Sequence, residues 1–174
     1  MPANTGRRWA KYIQYTIRNI AMDSPPLYML SNVPANMNEP FGSCKCGQVQ
    51  YKVSNRALQV VACHCGMCRS MTGAPLSSYV VVKEEHFAVT SGHEVLASYA
   101  VTDRTKRYFC ATCGTPIFNS NPHTYKGLAM LYLGTVVDHE NFVPELSIYC
   151  EGKLPWVYIH ESSKSFPQAP TRGA

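Results

Sequence analysis

Polar and apolar positions alternate through Gln48-Val49-Gln50-Tyr51-Lys52-Val53, the pattern of a strand with one face buried and one in water. Much of the chain as far as Tyr149 reads the same way, in short pieces. Leu58 to Ala62 is one such piece, and the β-branched and aromatic run Leu76 to Val82 suits a buried strand. His86 to Thr90 and Val95 to Val101 flank the turn signal Ser91-Gly92-His93. Lys106 to Phe109, Pro116 to Phe118, Leu128 to Leu133 and Phe142 to Tyr149 complete the series. Turn residues recur at intervals of about eight to twelve positions, which favours an all-β domain of antiparallel sheets over a parallel α/β sheet.

Residues 1–40 follow another period. On a helical wheel Trp9, Ile13, Ile17 and Ile20 gather on one side, and Arg7, Arg8, Lys11 and Arg18 on another. Asp23 is the single acid before Glu39. The pattern predicts an N-terminal amphipathic helix, followed by a linker through Ser24-Pro25-Pro26 and Pro34-Ala35-Asn36. This is the composition of a mitochondrial presequence or a surface-seeking helix. A docked helix, or an extension ahead of a start at Met37, is the plainer alternative. The expected organisation is an extension over 1–40, a zinc-binding β domain over 41–160, and a tail over 161–174.

Composition narrows the classes. A chain of 174 residues with 45% hydrophobic positions is large enough to bury a core without disulfide staples. A net charge of +5 favours capture of small anions but is too weak to argue for nucleic acid. No apolar stretch approaches the length of a membrane span.

Cysteine is the outlier. Seven of the eight cysteines fall in tight groups: Cys44-Lys45-Cys46, then Cys63-His64-Cys65-Gly66-Met67-Cys68, then Cys110-Ala111-Thr112-Cys113. Near neighbours of this kind are poor partners for bridges between distant loops, and the N-terminus lacks the apolar core of a signal peptide. Metal ligation in a reducing compartment is the better reading. That places the protein in the cytoplasm, with the mitochondrion as the alternative raised by the N-terminal segment.

Ligand arithmetic divides the thiols. Cys63 and Cys65 on extended backbone project to one side, and a turn through Gly66-Met67 brings Cys68 round to meet them. The trio fills three positions of a tetrahedral zinc and leaves the fourth open, the mark of a working site. Cys44, Cys46, Cys110 and Cys113 complete a closed, structural set that clips together segments more than sixty residues apart. Cys150 is left over and reads as a small buried hydrophobe. His64 faces away from the trio's metal, as a bystander or a donor behind it. Arg69 is a candidate clamp for a substrate carboxylate. Thr72-Gly73 offers a hydroxyl and backbone N–H groups, or is simply a turn. His86, His93, His123, His139 and His160 are scattered without ligand spacing.

These residues resemble a known family. Gly42-Ser43-Cys44-Lys45-Cys46-Gly47 with Val49 and Tyr51 is similar to the opening motif of the glutathione-dependent formaldehyde-activating enzymes, a family that includes centromere protein V. The likeness continues through Cys63-His64-Cys65-Gly66-Met67-Cys68-Arg69, Thr72-Gly73-Ala74, Thr90-Ser91-Gly92 and Tyr99. It runs on through Arg107 to Gly114, Gly134-Thr135, Pro144 and Leu154-Pro155-Trp156. The resemblance implies an Mss4-like β fold with two zinc ions. Cys44, Cys46, Cys110 and Cys113 would hold the structural ion, and Cys63, Cys65 and Cys68 the catalytic one. It implies glutathione as co-substrate and the joining of glutathione to formaldehyde, a carbon–sulfur lyase reaction in reverse. One departure stands out: Gly134-Thr135 is followed by Val136-Val137-Asp138-His139 instead of a Leu-Asp-Asp-like acidic turn.

The function expected is a zinc-dependent carbon–sulfur lyase acting on glutathione adducts of an aldehyde or other electrophile, including larger conjugates. The alternative is a non-catalytic zinc module that binds a protein partner, which a fourth protein ligand at the trio would favour. A centromere or microtubule role would need a longer basic extension than residues 1–40 supply.

Overall fold

The computed structural model describes residues 41–170, and the amphipathic helix expected within 1–40 lies outside them. The chain is mainly β, with two sheets built chiefly from antiparallel pairs. The smaller sheet has the order β1-β2-β5, from Phe41–Ser43, Gln50–Val53 and Phe87–Ser91. The larger sheet contains eight strands. In chain order these are β3 (Gln59–Cys63), β4 (Ser77–Lys83), β6 (Leu96–Ala100), β7 (Lys106–Cys110) and β8 (Pro116–Ser120). β9 (Leu128–Tyr132), β10 (Leu146–Ile148) and β11 (Lys164–Ser165) complete it. Across the sheet the order is β11-β10-β3-β4-β9-β8-β7-β6. β10 runs parallel to both β3 and β11; the other pairs are antiparallel. The segment beyond 160, read from the sequence as a tail, thus supplies an edge strand.

Apart from β1 and β11, the strands are where alternation and β-branching place them, with ends that differ by a residue or two. Phe142 to Tyr149 is the exception, since only Leu146–Ile148 pairs and the residues 142–145 before it are irregular. Side-chain alternation in β3, β4 and β9 gives the large sheet two different faces. On one face Val80, Val82, Ala129 and Leu131 pack against Val49, Tyr51 and Val53 to make the main core. On the other face stand Val61, Cys63, Tyr79, Val81 and Met130, and this face lines a cavity.

Gly92 is where the chain leaves the small sheet for the large one. Its φ is +77°, and a Cβ there would lie 2.4 Å from the Gln48 carbonyl oxygen, so no other residue fits without movement. After Gly134-Thr135 the chain packs back against β1, and the departure from a Leu-Asp-Asp-like turn falls at Val137, since position 136 is apolar in both. Val136 is buried in the core and bridges Gly42, while Val137 N–H donates to the Phe41 carbonyl.

Candidate metal and active site

Two groups of thiols converge, and they are the two the spacing predicts. Within Cys44, Cys46, Cys110 and Cys113 every sulfur lies within 4.8 Å of the others, and the same holds within Cys63, Cys65 and Cys68. All eight cysteines are free thiols.

The four-sulfur group is built from two hairpin-like knuckles. Cys44 follows β1, Gly47 N–H donates to the Cys44 carbonyl at 3.0 Å, and Val49 N–H donates to Cys44 Sγ at 3.3 Å. Cys110 ends β7, and Gly114 N–H donates back to its carbonyl at 2.8 Å. Thr115 ties the knuckles together, with Oγ1 3.1 Å from Cys113 Sγ and accepting from Lys45 N–H at 3.1 Å. Burial pushes Cys113 up, but hydrogen bonds from Thr115 and Cys46 outweigh it and bring it down to about 6. Cys44 Sγ is 3.4 Å from Cys46 Sγ, which is 3.8 Å from Cys110 Sγ. Four sulfurs about 2.3 Å from one Zn²⁺ stand about 3.8 Å apart, so the donor set and its spacing fit that ion.

The three-sulfur group sits where β3 meets a short helix, α1 (Gly66–Thr72). The sequence reads as a turn here, because seven residues are too few for a period to show and Gly66 is a poor helix former. The helix exists because both ends are capped. Cys65 keeps extended backbone at the N-cap while its Sγ accepts Cys68 N–H at 3.2 Å, in place of the usual Ser or Asp oxygen. Gly73 closes the other end in the left-handed region, giving its N–H to the Arg69 carbonyl. One helical turn therefore swings Cys68 round to Cys63 and Cys65.

Behind Cys68 lies a polar network that sequence reading misses. Tyr79 Oη donates to Cys68 Sγ at 3.3 Å, and Arg107 Nη2 donates to the same sulfur at 3.4 Å. Arg107 Nη1 reaches the hydroxyls of Tyr79 and Tyr132, and the guanidinium carbon lies 5.7 Å from the Tyr132 ring centre. Arg107 is only 4% exposed, so its charge needs a buried counter-charge, and the thiol group supplies one. The hydrogen bond from the Cys63 thiol, helped by those from Tyr79 and Cys65 and by the Arg107 charge, outweighs burial and brings Cys68 down to about 5. Cys63 is pushed up by donating to Cys68 and by burial, and burial likewise raises Cys65.

His64 is buried between two of these cysteines, yet neither ring nitrogen has a hydrogen-bond partner. Burial first, and then the charges of Lys153 and Arg69, lower its pKa and keep it neutral. Thr72 Oγ1 donates to the Cys68 carbonyl at 2.9 Å and stands 3.1 Å from Ser77 Oγ, so it braces the end of α1. Arg69 is half-buried on the same helix, and Arg69, Thr72 and Gly73 do not line the cavity. Cys150 gives its thiol proton to the Ser147 carbonyl at 3.2 Å, apart from both groups.

The cavity holds about 430 Å³ and has Cys63, Cys65 and Cys68 in its wall together with Tyr79, Arg107, Tyr125 and Tyr149. Burial, followed by the charges of nearby groups, raises the pKa of both Tyr125 and Tyr149, so each keeps its proton. The trio joins no fourth His, Cys, Asp or Glu donor among the described residues. A thiol set of this kind fits a soft or borderline ion with one position left over.

Known proteins give this geometry a context. An uncharacterized lyase of Schizosaccharomyces pombe is 27% identical over 82 residues, which span 47% of this chain and 58% of the yeast protein. A Rhodobacter sphaeroides protein of known crystal structure superposes with a TM-score of 0.47 at 22% identity, over 55% of this chain and 85% of that one. Residues 39–152, more than half the chain and inclusive of every cysteine in both groups, match the pattern of the glutathione-dependent formaldehyde-activating enzymes, and the chain belongs to that family.

Proposed function

We propose that the trio and its cavity form a zinc-dependent carbon–sulfur lyase centre acting on glutathione adducts of an aldehyde or other electrophile. What carries this reading is a three-sulfur group, without a fourth donor among the described residues, in the wall of a cavity of about 430 Å³. A partner-binding zinc module needs neither the vacancy nor the cavity. Membership of the family and the yeast relative's description as a lyase support the same class.

Zinc held by three thiolates supplies a soft open position that lowers the pKa of an incoming thiol and fixes its sulfur. The chain's own residues do the rest. Cys63, Cys65 and Cys68 present the sulfurs, while Tyr79 and Arg107 hold Cys68 in place, and the Arg107 charge offsets the excess negative charge of three thiolates. The half-enclosed wall limits water around the reacting atoms. In the adding direction the glutathione sulfur forms a bond to the carbonyl carbon, and the thiol proton ends on the carbonyl oxygen. The reverse breaks that bond and returns the proton to sulfur. Tyr125 and Tyr149 are proton-bearing hydroxyls in the cavity and serve the oxygen. Of Arg69, Thr72 and Gly73, proposed to hold glutathione, Thr72 and Gly73 use their donors to close α1, which leaves the Arg69 guanidinium, outside the cavity wall, as the candidate for a carboxylate.

Turnover tests this reading. Glutathione with formaldehyde, and with larger aldehydes, should react faster in the presence of the protein than with Cys65→Ser at the same concentration. Equal rates for every electrophile would remove the enzyme reading and leave the binding module.

A further inference from the structure

Gln59, Thr105, Asn119 and Asn121 add polar groups to the cavity wall, and the rest of it is largely apolar. Beyond the thiols, one sheet face contributes Val61, Val81, Leu128, Met130, Leu146 and Ile148 from four strands. Register makes them one surface. Ile148 stands beside Cys63 and Leu146 beside Val61, Val61 faces Tyr79, and Val81 faces Met130. Two strand steps separate the level of Cys63 from that of Val81, and each spans about 6.6 Å, so the apolar floor runs about 13 Å from the thiols to Val81, and Leu128 extends it by one further step.

Formaldehyde is a single carbon and needs none of this floor. Glutathione is polar and charged at both ends, and an apolar face offers its carboxylates nothing. A sheet face that keeps half-buried Val81, Leu128, Met130, Leu146 and Ile148 turned toward an open cavity leaves apolar surface that only an apolar occupant would remove from water. Continuity with the trio says which occupant: a group attached to the sulfur held there.

We infer that the electrophile half of the substrate is a bulky apolar group, an alkyl chain of several carbons or an aryl group, lying along the Val61–Val81–Leu128 floor. This rests on the reading above that glutathione adducts are the substrate class. The floor then sets specificity by length, and the thiol group only by sulfur.

S-alkylglutathiones test the floor apart from the chemistry, because a thioether binds without being turned over. Affinity measured by calorimetry on the zinc-loaded protein should rise about fourfold for each methylene from S-methyl to S-dodecyl. Val81→Trp, which fills the middle of the floor, should end that rise at the members long enough to reach it while leaving S-methylglutathione bound as before. Leu128→Gln, a milder change at the far end, should weaken only the longest members by about tenfold. Zinc content and the circular-dichroism spectrum confirm that each variant is folded. Equal affinity across the series in the unaltered protein overturns the inference, whether or not any adduct is turned over. A length-dependent series without turnover of any adduct leaves the floor assigned and removes the lyase reading.

Discussion

The two thiol groups gather the same donor atom in different surroundings, and the proposed division of their roles follows from the difference. The four-sulfur group joins the loop after β1 to the loop after β7, with Cys46 and Cys113 exposed and with backbone N–H groups and a Thr hydroxyl around its sulfurs. The three-sulfur group is backed by a buried guanidinium and a Tyr hydroxyl, and it opens on a cavity. A group meant only to hold loops together gains nothing from a buried cation or an unfilled position. A group meant to receive an anionic sulfur needs both, since the cation keeps the site from repelling it.

The contrast is broken most severely at the closed group. Cys110 is fully buried in the main core as well as being a proposed ligand. Cys110→Ser should therefore abolish cooperative thermal unfolding, because structural zinc contributes on the order of 10 kcal/mol to small metal-held folds. Cys113→Ser, at an exposed ligand, should do nearly the same, and a native-like melt for it would deny the group its structural role.

Arg107 comes next. Arg107→Met should lower kcat/KM by about 10- to 100-fold, in line with the loss of a group that orients a metal ligand. Its pH signature separates this from simple destabilisation. The Arg107 charge helps to hold Cys68 at about 5, so the thiolate persists at neutral pH and is lost as pH falls through that value. Removing the charge raises the Cys68 pKa, so protons displace metal from the trio at a higher pH than in the parent. Metal release followed with a chelating dye should show that upward shift for one ion and not for the other. Arg107→Lys should restore part of it, and an unmoved release curve would mean the guanidinium does not tune the trio.

A smaller effect is expected from Cys65→Ser. It should cost one zinc ion per chain by elemental analysis but shift the melting temperature by only a few degrees, the equivalent of about 1 kcal/mol. Loss of both ions together would merge the two groups into one unit.

How much of this was legible in the sequence follows from what each feature depends on. Metal ligation imposes short local spacings, so both thiol groups could be read from the chain, as could the strands from their alternation. Arg107 could not. It lies among Arg104 and Lys106, neighbours typical of a solvated edge, and only the pairing of Arg107 with Asn119 across β7 and β8 carries it inside. Tyr79 was legible as buried, but its hydroxyl's partner is set by where α1 places Cys68. The apolar floor was invisible for the same reason: Val61, Val81 and Met130 are ordinary strand residues until register makes them one surface.

The smallest expected effect concerns residues 1–36. Both thiol groups and the described lining of the cavity lie within 41–170, so a chain beginning at Met37 should keep two zinc ions and melt within about two degrees of the full chain. A larger drop would add a third contributor to a contrast now drawn between two.

The open position at the trio is tested most directly by cobalt. In cobalt-substituted protein, glutathione should intensify the sulfur-to-metal charge-transfer absorption, because a fourth sulfur joins Cys63, Cys65 and Cys68. An analogue in which serine replaces the cysteine of glutathione should leave the spectrum unchanged, as should glutathione added to Cys65→Ser. A spectrum that glutathione does not alter would show the trio closed to thiolates and contradict the division of labour between the two groups.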